Sequence, residues 1–126
     1  MFELTIKGTV YKFRFGLGFV REIDKIRTEK DKNGNSQNVG LAYAVASLTD
    51  EDPLELAKIL DIANKTEKPR LSKDDLDRYI EEDADLETIC KDVLDFFKKG
   101  NATKKKTAAV IELIEKEKAK QEAATE

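Results

Sequence analysis

The chain opens on period-two alternation. Phe2, Leu4 and Ile6, then Tyr11, Phe13 and Phe15, stand at every second position, the pattern of a strand that buries one face. Gly8 lies midway, and a two-residue turn at Gly8-Thr9 joins the two runs into a hairpin. That turn sets Ile6 opposite Tyr11, Leu4 opposite Phe13 and Phe2 opposite Phe15. All six large side chains then share one face, which a slip of one residue would divide. A lone two-stranded ribbon is marginal in water, so this face requires helices or another chain over it.

Beyond Gly16-Leu17-Gly18 the period lengthens. Phe19, Val20, Ile23 and Ile26 form a helical stripe with Arg21, Glu22, Asp24 and Lys25 opposite. The polar run 32–38 ends that helix as a loop, and the small apolar residues from Val39 to Leu48 predict a short buried helix. Asp50-Glu51-Asp52-Pro53 starts the next, with capping acids followed by Pro at the first helical position. Leu54, Leu56, Ala57, Ile59, Leu60, Ile62 and Ala63 make that helix apolar around most of its girth, so it belongs at the centre of the core. A linker over 66–70 leads to a helix capped by Ser72, with Asp75 three residues on and Leu71 and Leu76 at the staple positions. Leu76, Tyr79 and Ile80 give it an apolar face. Acidic residues from Glu81 to Asp85 separate it from a strongly amphipathic helix with Leu86, Ile89, Cys90, Val93, Leu94 and Phe97 on its stripe, stopped by Gly100-Asn101. A last helix, over about 104–121, has Val110, Ile111, Leu113 and Ile114 as its apolar centre, and its charged, alanine-rich end is expected to fray in isolation.

The pattern therefore predicts an α+β fold, mainly α-helical (five or six helices), with an N-terminal antiparallel β-hairpin. One globular domain is expected over 1–100, with the hairpin at 2–15 and helices from about 17 to 100. A C-terminal helical extension, partly disordered, covers 101–126.

Composition changes the picture chiefly by exclusion. The 126 residues hold no histidine, one cysteine and no tryptophan. Ser-His-Asp and Cys-His nucleophile systems and His-based metal sites are therefore excluded, as are an internal disulfide and a multi-cysteine zinc site. The longest apolar run, Leu41 to Ala46, is far short of the ~20 residues that span a bilayer. Met1 leads straight into the first strand, without a signal peptide's basic start and apolar region. These features predict a soluble protein of the cytoplasm that is not an enzyme and uses no cofactor, metal, nucleic acid or membrane.

The formal net charge of −3 conceals a strong asymmetry. Residues 1–30 carry seven basic and four acidic side chains, residues 50–97 seven and sixteen, and residues 98–126 eight and five. A basic hairpin, an acidic middle and a basic tail suit head-to-tail homo-oligomers or a basic partner on the acidic surface, although a solvated surface of uneven sign is the plainer reading.

Each candidate for chemistry meets a stronger plain reading. Glu29, Asp31, Asn33 and Gly34 fit the early positions of a calcium loop, but position 12, which needs a bidentate carboxylate, is Gly40. The plain reading there is a polar turn. Glu81, Glu82, Asp83 and Asp85 could pair as acid and base; helix capping and solubility explain them better. Gly16-Leu17-Gly18 sits between strand and helix like a dinucleotide turn, but the third glycine position is Arg21 and the strand belongs to a hairpin. A tight corner is the better reading. Cys90, on an apolar stripe, reads as an inert core residue. Lys104-Lys105-Lys106 lacks the aromatic and basic stripe of a nucleic-acid surface, and the sequons at Asn64 and Asn101 carry no meaning in a cytoplasmic protein.

One stretch goes beyond generic patterning. Leu4, Ile6, Gly8, Tyr11, Phe13, Phe15 and Gly16, followed by Gly18, Phe19, Arg21, Glu22 and Ile23, resemble the hairpin and first helix of tail assembly chaperones from long-tailed bacteriophages of Gram-positive hosts. The match covers about a sixth of the chain; the size, acidic middle and Lys/Glu/Ala-rich end are also similar to that family. The resemblance implies a non-catalytic protein that holds the tape measure protein in the host cytoplasm while the tail tube polymerises, and that is absent from the virion. It implies the tail tube protein and a frameshifted longer form of the chain as further partners. Lys98-Lys99 or Lys104 to Lys106 could overlie the slippery codons. A chaperone for a long helical client needs exposed apolar strips rimmed by charge. Two strips qualify: the C-terminal one with Val110, Ile111 and Ile114, and the hairpin face with Phe2, Tyr11 and Phe13. The alternatives are a small phage or bacterial regulatory adaptor that binds a folded protein partner, and a structural tail subunit.

Overall fold

A computed structural model describes residues 1–125, with side chains as far as Ala123. Strands β1 (Phe2–Ile6) and β2 (Thr9–Phe13) pair antiparallel, with Phe2 opposite Phe13, Leu4 opposite Tyr11 and Ile6 opposite Thr9. The turn is Lys7-Gly8, with φ of 52° and 78°, one residue earlier than the pattern suggested. A type I′ turn needs positive φ at both central positions, and glycine fills the second without strain. The register consequently differs by two from the expected one. An even shift preserves side-chain parity, so Phe2, Ile6 and Phe13 are still buried together, with Leu4, Tyr11 and Phe15 half-buried beside them. Phe15 no longer belongs to the ladder and is free to pack on the helices.

Helix α1 (Leu17–Ile26) buries Phe19 and Ile23 as its stripe requires. The loop expected after it is instead a second, small hairpin, β3 (Thr28–Lys30) and β4 (Ser36–Asn38), with all six strand residues exposed. Its turn is organised by Asp31, whose Oδ1 accepts the N–H groups of Asn33 and Asn35, each at 2.9 Å, and by Gly34 at φ 82°. No apolar alternation marks these strands, because side-chain and backbone hydrogen bonds make them.

Helix α2 (Gly40–Thr49) buries Leu41, Ala44, Val45 and Leu48. It starts on Gly40, where a Cβ would collide with the Ile23 carbonyl oxygen. Only glycine lets the end of α1 approach this closely, and Asp24 Oδ1 accepts the Leu41 N–H at 2.8 Å across the junction. Helix α3 (Pro53–Asn64) is capped by Asp52, which accepts from Leu54 and Glu55 N–H. Leu56, Ile59 and Leu60 are fully buried, whereas Leu54, in the first turn, is 82% exposed and does not belong to the core.

Buried Asn64 at the end of α3 closes the linker onto the body. Its Oδ1 accepts the Leu71 N–H at 2.6 Å and Arg70 Nη1 at 2.9 Å, and its Nδ2 donates to the Lys12 and Pro69 carbonyls at 3.0 and 3.2 Å. Ser72 Oγ then accepts the Asp75 N–H at 3.1 Å to cap α4 (Lys73–Arg78), and Leu71 and Leu76 are both buried. A π-helical turn, Tyr79–Asp83, carries the chain to α5 (Leu86–Lys99), capped by Asp85. Helix α6 (Lys104–Thr125) packs its first turns on α2 and α5. Thr103 and Thr107 are fully buried there; Thr103 Oγ1 donates to the Phe97 carbonyl at 2.7 Å and Thr107 Oγ1 to the Thr103 carbonyl at 2.8 Å. The C-terminal fraying expected from composition extends to Glu126, which lies outside the described residues; up to Thr125 the chain is helical. Among the described residues this is a mainly helical α+β fold of six α-helices, a π-turn and two hairpins, the first of them N-terminal.

Candidate protein-binding surfaces

The chain's six phenylalanines converge on one cluster that joins the hairpin to α1 and α5. Phe15 is its hub, with ring centroids 5.2 Å from Phe19, 5.1 Å from Phe97, 6.1 Å from Phe2 and 6.4 Å from Phe96. Phe2 also meets Phe13 at 5.7 Å and Phe96 at 5.5 Å. Tilted and edge-on pairs of this kind stabilise beyond their buried area. Five of the rings are buried or half-buried, while Phe96 is 39% exposed. Beside it opens a groove of about 450 Å³ lined by Phe2, Asp92, Asp95, Phe96, Lys99 and Gly100. The sequence pattern assigned Phe97 to the stripe and passed over Phe96. The signal was the Phe-Phe pair itself, since two adjacent residues on a helix cannot both face the same way.

The second surface lies along α6. Val110 and Ile111 are half-buried against the core, Ile114 is half-buried one turn further on, and Leu113 is 62% exposed. Leu94 of α5, Ile111 and Ile114 floor a shallow groove of about 140 Å³, and Thr49, Lys98, Glu115 and Lys118 rim it. Spacing of i, i+3 and i+4 puts these α6 side chains on adjoining parts of one face. Beyond it, residues 115–123 are all exposed. The fold therefore brings Val110, Ile111 and Ile114 together at the surface. The other trio is placed differently: Phe2 and Phe13 are 6% and 1% exposed and belong to the core, with Tyr11 half-buried beside them.

Several of the candidates for chemistry have structural roles. Asp31 organises a turn, and Asp85 caps α5 with its carboxyl held below the usual carboxylate range by the hydroxyl and N–H of Thr88. Cys90 is buried, and burial, with Glu51 and Asp52 nearby, pushes its thiol up to about 11, so it is protonated and unreactive at neutral pH. Among the described residues no group of three or more His, Cys, Asp or Glu could hold a metal ion, and no helix is long and apolar enough to cross a membrane. Gly16-Leu17-Gly18 forms the strand-to-helix corner, with Gly16 at the N-cap of α1.

Compared with known proteins, the chain matches the family model described as phage tail assembly chaperone protein over residues 3–112. No curated protein and no solved structure matches.

Proposed function

The chain belongs to the phage tail assembly chaperone family, and from that premise we propose that it holds the tape measure protein in the host cytoplasm during tail assembly, without catalysis. The observation that carries this reading is the α6 surface. Ile111 and Ile114 sit over Leu94 in a groove rimmed by Lys98, Glu115 and Lys118, with Leu113 exposed on the same helix. An amphipathic client helix can lay its apolar face on such a strip and pair its charges with both signs on the rim. The shallow floor suits weak, repeated contact along a long client, which the growing tail tube can displace. The tail tube protein, and a longer form of this chain made by frameshifting near its C-terminus, are the further partners on this reading. Release before maturation leaves the protein absent from the virion.

Co-expression with the tape measure protein tests this directly. The soluble client fraction should rise severalfold with the wild-type chain and fall back with the double substitution Leu113→Asp/Ile114→Asp; because Ile114 is half-buried, the single Leu113→Asp variant, at a largely exposed position, should lower it too while leaving the melting temperature of the chaperone little changed. A client that precipitates whether or not the wild-type chain is present defeats the reading. A double variant that holds the client as well as wild type moves the contact elsewhere.

A further inference from the structure

A cleft larger than the α6 groove lies where the end of β2, the start of α1 and the end of α3 meet. It encloses about 580 Å³ and is lined chiefly by Arg14, Leu17, Gly18, Phe19, Ile62 and Lys65. The Arg14 N–H donates to the Ala63 carbonyl at 2.9 Å, which pins β2 to α3 and brings Arg14 and Lys65 to the same cleft. Arg14 Nε lies 3.4 Å from where a Cβ on Gly16 would stand. Phe19 and Ile62 are buried and give the cleft an apolar floor, and the exposed Leu17 gives it an apolar lip.

Its charge is one-sided. Arg14 and Lys65 are exposed, and among the described residues neither makes an ion pair. Glu22, the one carboxylate on the lining, is shared with Lys25 at 3.8 Å. The N–H groups of Leu17, Gly18 and Phe19 open the first turn of α1 at the same place, without a side-chain cap or an acceptor among the described residues, and add positive potential. Gly18 keeps the cleft open. Glycine is a poor helix former, yet Gly18 stands inside α1 without positive φ, and a Cβ there would meet nothing within 4 Å. No contact within the chain requires glycine at this position; what its missing side chain preserves is space in the cleft.

We propose that this cleft docks an acidic, apolar segment of a protein partner. An apolar side chain of that segment lies over Phe19 and Ile62, and a carboxylate beside it meets Arg14, Lys65 and the first N–H groups of α1. Charge complementarity selects this occupant. A basic segment would face two uncompensated cations, and a purely apolar one would cover them without pairing them. The cleft shares no lining residue with the α6 groove, so it is a second docking surface of different chemistry.

NMR titration of the full chain with a short synthetic peptide that alternates leucine with aspartate tests this. The Leu17, Gly18 and Phe19 amide signals should shift saturably, and a counterpart peptide with lysine in place of aspartate should leave them where they are. Raising the salt concentration should weaken binding severalfold. Arg14→Glu/Lys65→Glu, at two exposed positions, should weaken it at least tenfold. Gly18→Leu fills the cleft with a better helix former, so it should weaken binding at least tenfold while the melting temperature stays level or rises. Absence of saturable shifts overturns the proposal, as do equal binding of the lysine peptide and binding that survives both variants. The same shifts from inorganic phosphate alone, at the peptide's concentration, overturn it in favour of a simple anion. Self-association in sedimentation velocity that Arg14→Glu/Lys65→Glu abolishes, with no peptide bound, overturns it in favour of a second copy. Leu113→Asp should bind the peptide as wild type does, so this proposal and client holding through α6 can each fail without the other.

Discussion

The two hairpins of this protein are held by opposite means. β1–β2 has an apolar face, and Phe2, Ile6 and Phe13 from it are 6%, 3% and 1% exposed in the common core. Its tip is also tied to α4 by Lys7 Nζ, 2.9 Å from Asp75, and its far edge to α3 through Asn64. β3–β4 buries none of its strand residues. Its local order comes from the Asp31 carboxylate, the positive φ of Gly34 and a backbone bond at its base from Val39 N–H to the Arg27 carbonyl at 2.9 Å. The first hairpin is therefore part of the cooperative unit of folding, and the second is a local structure that can open alone.

The largest expected effect falls on the first. Phe13→Ala should cost about 3–5 kcal/mol by urea denaturation, a large share of a typical domain's stability. Asp31→Ala should cost about 1 kcal/mol or less, and its signature is local: faster amide exchange at Asn33 and Asn35 with little change in the global unfolding midpoint. Equal losses from the two substitutions would end the distinction between the hairpins.

The smallest effect concerns pH. The Lys7 hydrogen bond and charge, followed by Ser72 and Arg78, hold the Asp75 carboxyl below the usual carboxylate range. A carboxylate depressed in the folded state stabilises above its unfolded pKa, and that contribution is lost as pH falls through the folded value. The tie between hairpin tip and α4 should therefore persist to neutral pH and release only in acid below about pH 4. Followed by NMR, the Asp75 carboxyl should titrate below the ordinary value in wild type and move back towards it in Lys7→Ala. An ordinary midpoint in wild type would show that the contact is absent in solution.

Much of the fold is legible because burial leaves a periodic record. The alternation Phe2 to Phe15, the α5 stripe from Leu86 to Phe97 and the caps at Asp52 and Ser72 each announce an element whose partner is water on one side and core on the other. What escaped had no such record. The β3–β4 ribbon is polar throughout, and the hairpin turn moved by one residue because the new register has the same parity as the expected one. Asn64 reads as a polar residue at a helix end, yet its four hydrogen bonds span separations of 5 to 52 residues. Of the surface strips, α6 was visible from the isolation of its few apolar residues in a charged helix. The Phe96 groove was not, since it is assembled from Phe2 on the first strand and residues of α5 that stand 90 or more positions along the chain.

The sequence by itself determined the α+β class, the amphipathic faces, the caps and the lack of histidine and multi-cysteine chemistry, because these follow from local periodicity and residue type. Its N-terminal motif also carried the resemblance to the family that the chain was found to match. Only the tertiary structure decided which apolar residues the core consumes and which remain outside it. Phe2 and Phe13 are enclosed by helices that the strand cannot see, Leu113 and Phe96 are left in solvent, and one sheet edge is closed by α3 while the other stays open. Such choices depend on contacts between residues far apart in the chain, where hydrophobicity states a need for burial but not the partner that meets it.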